Sequence, residues 1–280
     1  MKKIILLLSL TAFSASASVI DHLGLQMYSL RVTAKEKEMN AALDQAKDFG
    51  FKYIEGGAPQ KGTTIEQAKA DLASRGLKMV SAGFGYEKLS SDLAGCVEQA
   101  KELGVEFVMI SWIPHEGDTF TEAQAEKAVK DFNKWGAAFK AAGIQLVYHP
   151  HGYEFKPRPD GSTLFDVIAQ GTKADVFNFE MDVFWATHGG QDPVKLLTKY
   201  PDRFKMMHVK DIRKGAPTGI YTGHAPETDD VPVGTGQVDW PTLLRKAQEV
   251  GVKWYFIEDE SPTPLKNIPE SVAYLKSLGI

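Results

Sequence analysis

The chain has 280 residues, of which 43% are hydrophobic and 24% are charged, and this profile excludes a disordered or fibrous protein. It has 32 Lys and Arg residues and 36 Asp and Glu residues, which give a net charge of −4. Because there is no excess of basic residues to neutralise phosphates, we predict no nucleic-acid partner. The single cysteine, Cys96, excludes an intramolecular disulfide, and no Cys/His cluster indicates a structural zinc site.

The first residues have the pattern of a secretory signal peptide. Lys2 and Lys3 precede an apolar run over residues 4–10, and small residues follow at 15–17. Such a run is too short to cross a bilayer. We therefore predict cleavage after Ala17, a mature chain with no stable membrane insertion, and export, to the periplasm if the host is a Gram-negative bacterium. An uncleaved membrane anchor is the alternative.

A short sequence pattern recurs along the mature chain: a glycine that ends a helix is followed directly by an apolar run. The glycines are Gly50, Gly76, Gly104, Gly143 and Gly251. Each suits the left-handed position just beyond a helix, where a side chain would clash. The pattern therefore predicts five junctions at which a helix ends and a buried strand begins.

The hydrophobic pattern predicts eight strands alternating with helices. The strands are expected at 23–28, 51–55, 77–80, 105–110, 144–148, 176–181, 204–209 and 252–257, and helical spacing is found at 41–49, 65–72, 93–103 and 128–139. Eight such units in about 260 residues match a single (β/α)8 TIM barrel, which we assign to residues 18–280. An open doubly wound sheet is the alternative, but no Gly-rich turn follows its first strand.

Two connections are long, residues 111–121 after the fourth strand and 211–238 after the seventh. Long loops inside a compact domain are usually lids, binding loops or partner surfaces.

Reactive or aromatic side chains stand at the ends of the predicted strands. They are Glu55, Ser81, Trp112, His149, His151, Glu154, Asp182, His208, Lys210, Asp211, Glu258, Asp259 and Glu260. In this fold the loops after the strands converge on one mouth, and buried parallel strands are otherwise continuous apolar runs. The pattern therefore predicts an active site at this end, with Glu55, Trp112 and Trp185 as candidate substrate contacts.

One subset has the composition of a metal site. Glu154, Asp182, His208 and Glu258 would supply hard oxygen donors and one imidazole, which suit one divalent ion: Mn²⁺ first, then Mg²⁺, Co²⁺ or Zn²⁺. Three alternatives stay open. In the first, Glu154 is a solvated loop acid and His149 replaces it as a metal ligand. In the second, Asp182 only caps the next helix. In the third, His208 is a core histidine with its hydrogen bonds satisfied.

Several motifs resemble those of the xylose isomerase-like barrels of the sugar phosphate isomerase/epimerase and apurinic-endonuclease superfamily. They are His149-Pro150-His151-Gly152-Tyr153-Glu154-Phe155, Glu180-Met181-Asp182-Val183-Phe184-Trp185, His208-Val209-Lys210-Asp211, Gly234-Thr235-Gly236 and Ile257-Glu258-Asp259-Glu260. The resemblance covers the mature chain and implies the metal-ligand role for Glu154, Asp182, His208 and Glu258. Pro150 stands where the family has Asn, and Ser81 where many relatives have His. Gly234-x-Gly236 is a weak phosphate-loop signal, and we interpret it instead as a turn before a helix capped by Asp239.

Such a site favours removal of a proton next to a carbonyl. Glu154, Glu258, His149 and His151 are the candidate bases, and Lys210 is a further positive group. We predict a metal-dependent isomerase or epimerase acting on a non-phosphorylated sugar or glycoside. A 3-oxo-glycoside lyase that works by β-elimination is the close alternative, as the resemblance implies. A non-catalytic periplasmic sugar-binding protein and a metal hydrolase are more distant ones, and the oligomeric state is left open.

Overall fold

The computed structural model describes residues 18–57, 59 and 62–280. The predicted signal peptide, residues 1–17, lies outside the described residues. Within the described part, no helix combines the length and the apolar character that a membrane span requires.

Eight parallel strands of the described chain close into a barrel. They are β1 (Leu23–Gln26), β2 (Tyr53–Gly57), β3 (Lys78–Gly83), β4 (Phe107–Ile110), β5 (Gln145–Tyr148), β6 (Phe177–Asp182), β7 (Phe204–Val209) and β8 (Trp254–Ile257). Each strand pairs with its neighbours in sequence, and β8 pairs with β1 through Leu23 and Tyr255. The predicted (β/α)8 TIM barrel is confirmed.

Helices follow the strands around the barrel. They are α1 (Arg31–Asp48), α2 (Ile65–Ala73), α3 (Tyr86–Ser91), α4 (Leu93–Leu103), α5 (Glu122–Ala141), α6 (Leu164–Gly171), α7 (Val183–His188), α8 (Pro193–Lys199), α9 (Trp240–Glu249) and α10 (Pro264–Leu278), with short 3-10 turns at Val19–His22, Met27–Leu30, Tyr153–Phe155 and Glu227–Asp229. Helix α5 begins earlier than its apolar spacing predicts, because Thr121 and Gln124 form a capping box there.

The barrel interior is apolar at one end and polar at the other. Val147 and Met206 belong to a buried cluster that is separate from the main core between strands and helices. Side chains two residues apart on a strand share a face, so His149 and His208 point into the barrel above this cluster. An apolar plug therefore forms the floor, and the reactive side chains stand at the C-terminal ends of the strands.

The long connection after β7 is tied down by Asp211. The carboxylate of Asp211 accepts hydrogen bonds from the backbone N–H groups of Gly234, at 2.9 Å, and Gly236, at 3.1 Å, and from the Trp240 indole, at 2.8 Å. The Asp239 side chain caps α9. The Gly-x-Gly segment is thus a turn closed by a carboxylate, as the sequence interpretation favours over a phosphate loop.

Replacing Gly236 by Ala is expected to destabilise the protein by about 2 kcal/mol or more. A Cβ there would lie 2.2 Å from Asp211 Oδ1 and 2.3 Å from the Ile212 carbonyl oxygen. The free energy of unfolding in urea measures the effect. Gly57→Ala is the matched control, because nothing lies within 4 Å of its added Cβ, and a Gly236→Ala variant as stable as this control would contradict the expectation.

Candidate metal centre

Four buried side chains from four neighbouring strands meet at the mouth of the barrel. His149 follows β5, Asp182 ends β6, His208 lies in β7 and Glu258 follows β8, and one donor atom from each lies within 4.8 Å of the others. His149 Nε2 is 3.7 Å from Asp182 Oδ2, and His208 Nδ1 is 3.3 Å from Glu258 Oε2. We call these four residues the donor quartet.

The structure brings together three of the four ligands that the sequence predicts, and His149 stands where Glu154 is expected. The Glu154 carboxylate turns back onto its own loop, where it accepts hydrogen bonds from the Tyr148 hydroxyl and from the backbone N–H groups of His151, at 3.3 Å, and Gly152, at 2.9 Å. Glu154 is fully buried. It is therefore neither in the donor quartet nor the solvated loop acid of the alternative.

The quartet has free donor atoms. Among the described residues, Asp182 Oδ2 and His208 Nδ1 are buried without a hydrogen-bond partner. Asp182 Oδ1 accepts from the backbone N–H of Trp185 at 2.7 Å and so caps α7, which leaves Oδ2 for the quartet. Buried polar atoms normally have partners, and two imidazoles with two carboxylates form a set that divalent ions bind. The residues fit one divalent cation.

A second layer of carboxylates supports the two imidazoles. His208 Nε2 lies 2.6 Å from Glu55 Oε1, and His149 Nδ1 lies 3.6 Å from Glu180 Oε2. Histidines that bind metals typically hydrogen-bond through the other ring nitrogen, as His208 does to Glu55, and this orients the ring. His149 Nδ1 has no hydrogen-bond partner among the described residues. Gln26 holds the same Glu55 oxygen at 2.6 Å. Glu55, predicted as a substrate contact, is fully buried in this layer.

Glu180 is not identified as a candidate site residue in the sequence analysis. It is fully buried in β6, and both carboxylate oxygens are without a hydrogen-bond partner among the described residues. The signal is present in the sequence, because Glu180 and Asp182 are two residues apart on one strand and so share a face. Burial and the charge of Glu55 raise the pKa of Glu180 to about 8.

Neighbouring charges shift the pKa values of two quartet members, His208 and Glu258, in opposite directions. Burial alone lowers the pKa of His208, but the carboxylates of Glu180 and Glu258 raise it well above its usual range. Burial would raise the pKa of Glu258, and the charges of Lys210 and His208 lower it well below its usual range. A metal ion must displace the His208 proton, so metal affinity is expected to fall as the pH falls.

Lys210, a predicted catalytic residue, lies next to Glu258 of the quartet. Its Nζ is 3.2 Å from Glu258 Oε2 and 4.0 Å from Asp230 Oδ2, and it also pairs with the Glu260 carboxylate. The side chain is 2% exposed. Burial lowers the pKa of Lys210, but these carboxylates raise it well above its usual range. Lys210 is therefore a charged ion-pair partner of Glu258, and its catalytic role stays a prediction.

A cavity of about 1000 Å³ opens onto the quartet. Trp112, Trp185 and His151, which the sequence predicts at this site, line it together with the quartet members His149, His208 and Glu258. Neither Glu55 nor Lys210 is among the described residues that line this cavity. The loop after β7 contributes Gly223, His224, Ala225 and Glu227 to the cavity lining.

His151 is the cavity residue best placed to accept a proton. Its ring lies between Trp112, with centroids 5.6 Å apart, and Trp185, at 5.4 Å. Burial lowers the pKa of His151 to about 4, so the ring is neutral at pH 7. Its Nδ1 and the Trp185 indole N–H are buried with no hydrogen-bond partner among the described residues. One proton acceptor and one donor are thus free beside the quartet.

The chain is similar to known proteins over most of its length. A family model described as xylose isomerase-like TIM barrel matches residues 43–278. An inosose dehydratase of Clostridium beijerinckii is 24% identical over 261 residues, which cover 83% of this chain and 86% of that protein.

Two solved structures share the fold. One, described as a sugar phosphate isomerase/epimerase from Parabacteroides distasonis, has a TM-score of 0.72 and 26% identity, and the match covers 94% of this chain and 96% of that one. A xylose isomerase-like TIM barrel protein from Mycobacterium smegmatis, solved in complex with magnesium, has a TM-score of 0.65 and 17% identity, covering 85% and 87%. At that identity the second likeness concerns the fold alone.

Proposed function

Because the chain belongs to the xylose isomerase-like TIM barrel family, we propose that it is a divalent-metal-dependent lyase, which removes a β-substituent from a keto-sugar, a keto-glycoside or a keto-cyclitol. The broader prediction of a metal-dependent enzyme that acts on sugars is confirmed by the family and its dehydratase relatives. Inosose dehydratases support the lyase alternative better than the isomerase or epimerase that the sequence interpretation places first.

The observation that carries the proposal is a donor quartet with a free, neutral imidazole beside it in the same cavity. His149, Asp182, His208 and Glu258 would hold the cation, and Mn²⁺, Co²⁺ or Zn²⁺ suit two imidazoles better than Mg²⁺ does. A cation there would polarise the substrate ketone as a Lewis acid and stabilise the charge that develops when the neighbouring carbon loses its proton.

The chain's own residues account for the proton transfers. His151 accepts the proton from the carbon next to the ketone as that C–H bond breaks. The C–O bond at the β-carbon then breaks, a C=C bond forms, and the leaving oxygen takes up the proton that His151 accepted, which returns His151 to its neutral form. The products are an enone and an alcohol or water. The Trp185 indole N–H is free to bind a sugar hydroxyl, and the faces of Trp112 and Trp185 suit a sugar ring.

The substrate we propose is not phosphorylated. The predicted signal peptide, residues 1–17, would export the protein, whereas sugar phosphates are largely confined to the cytoplasm. Glu227, Glu258 and Glu260 line the cavity and would repel a phosphate, and Arg31, which lines it together with Lys35, is paired with Glu227 at 3.0 Å.

The test is incubation of the Mn²⁺-loaded protein with an inosose and with 3-oxo-glycosides in D₂O. We expect deuterium to enter the carbon next to the ketone, and an enone to accumulate with release of water or the aglycone, measured by NMR. Chelation should stop both reactions, and His151→Gln should slow them by roughly 100-fold or more.

The other outcomes identify the alternatives. Exchange with formation of an isomer and no enone would assign an isomerase or epimerase. Sugar binding that is indifferent to chelator, with no exchange on any substrate, would assign a non-catalytic binding protein.

A further inference from the structure

A second cavity, of about 550 Å³, adjoins the main one. Six described residues line both cavities: Met27, Ala34, Lys35, Met39, Gly56 and Gly57. We call this second cavity the side chamber. Three members of the donor quartet, His149, His208 and Glu258, line the main cavity, so the six shared residues place the side chamber next to the space that opens onto the quartet.

The walls of the side chamber differ in chemistry from the quartet. The apolar part of its wall is formed by Met27, Met39, Leu43, Leu72 and Met79, and the exposed residues Lys35, Glu38 and Asn40 also line it. Imidazoles and carboxylates surround the reacting end. Methionine side chains are flexible and polarisable, and they adapt to apolar ligands of different shape. A ligand that fills both spaces would therefore be polar at one end and apolar at the other.

Two local features of the backbone form the chamber. Helix α1 is interrupted at Lys37 and Glu38, whose φ angles are −130° and +70°, and chamber-lining residues lie on both sides of this kink. On the facing strand, β2 ends in Gly56 and Gly57, and a Cβ added at Gly57 would have nothing within 4 Å. Gly57 lines both cavities, so the lack of a side chain leaves space where they adjoin, which we call the passage.

We propose that the side chamber binds the apolar leaving group of a keto-glycoside, which makes aryl and alkyl glycosides the substrate class of this enzyme. This inference rests on the proposed lyase function, because the aglycone leaves only if elimination breaks its bond to the β-carbon, which is next to the carbon that loses its proton. A keto-cyclitol carries only hydroxyl groups and would leave the chamber without a ligand. An apolar aglycone removes the chamber's methionine and leucine surface from water.

Binding of stable glycosides tests the inference without chemistry. Titration calorimetry on the Mn²⁺-loaded protein would compare methyl with phenyl β-D-glucoside and methyl with phenyl β-D-galactoside, which have no ketone and cannot eliminate. We expect the phenyl compound of at least one pair to bind roughly tenfold more tightly or better. Equal affinities within both pairs, or no binding of any phenyl glycoside, would overturn the inference.

Two variants fill the chamber from opposite walls. Gly57→Leu places a side chain in the passage, and Ala68→Phe extends one from α2. In both, the phenyl advantage should fall to within about twofold, and Ala68→Phe should also retain the affinity for the methyl glycoside, because Ala68 lines the side chamber and not the main cavity. Ala137→Phe, at an exposed position of α5, is the matched control for Ala68→Phe and should keep the phenyl advantage. Retention of that advantage in both chamber variants would exclude the chamber as its cause.

Failure of this inference is distinguishable from failure of the proposed function. Elimination from small keto-sugars without any phenyl preference would overturn the side-chamber assignment alone. A phenyl preference that Gly57→Leu abolishes, in a protein that catalyses no exchange or elimination, would support the chamber and refute the lyase.

Discussion

Replacing His149 by Gln is expected to weaken Mn²⁺ binding by roughly 100-fold or more and to abolish elimination. The His149 ring joins Asp182, His208 and Glu258 in the donor quartet, with its Nε2 3.7 Å from Asp182 Oδ2. Glutamine has no imidazole nitrogen at that position, so the cation would lose one of four protein ligands. Competition of Mn²⁺ with a chelating dye measures the affinity of the folded variant.

Glu154→Gln is the matched comparison, because both residues belong to the same loop after β5. The Glu154 carboxylate accepts hydrogen bonds from Tyr148 and from the backbone of Gly152. We therefore expect the variant to lose about 1 to 3 kcal/mol of unfolding free energy but to keep Mn²⁺ affinity within about threefold. If Glu154→Gln loses the metal and His149→Gln keeps it, the ligand set implied by the family resemblance is right and the quartet is wrong.

The barrel was predictable because its signals are local and repeated. A glycine such as Gly104, with φ of +74°, ends a helix in the left-handed conformation, and an apolar strand buried on both faces follows it. Predicted strand 204–209 and predicted helix 93–103 coincide with Phe204–Val209 and Leu93–Leu103. The start of α1 was not predictable from apolar spacing, since the described residues Arg31–Asn40 of this helix contribute none of its fully buried side chains.

The candidate site was predictable where the strands decide the direction of the side chains. Asp182, His208 and Glu258 end or directly follow strands, so alternation places them at the barrel mouth. Glu154 lies beyond a strand end, in a 3-10 turn after Gly152, whose φ is +97°. Alternation does not extend through such a turn, and the sequence alone leaves open whether Glu154 or His149 faces the metal.

Two features of the second layer depend on contacts between distant strands. Glu55 on β2 reaches His208 on β7 across the barrel, and Glu180 lies beside both imidazoles. A sequence pattern shows on which face of its strand a residue lies. It does not show which residues of other strands that side chain contacts in the closed barrel. This explains why Glu55 is predicted as a substrate contact and why Glu180 is overlooked.

Replacing Lys210 by Met is expected to destabilise the metal-loaded protein by roughly 3 to 5 kcal/mol, because it leaves buried carboxylates without their cation. Lys210 is 2% exposed and pairs with Glu258, Glu260 and Asp230. Methionine fills nearly the same volume, so the loss would report the charge rather than a cavity. Denaturation in urea, followed by circular dichroism, measures the unfolding free energy.

The control is the same substitution in an exposed ion pair. Lys253 lies 2.6 Å from Glu106, with its side chain 52% exposed, and Lys253→Met should change the unfolding free energy by no more than about 1 kcal/mol. Adding Glu260→Gln to Lys210→Met removes one of the unpaired charges and should recover part of the loss. A Lys210→Met variant as stable as the Lys253→Met control, or a double variant less stable than Lys210→Met alone, would show that the carboxylates around Lys210 do not depend on its charge.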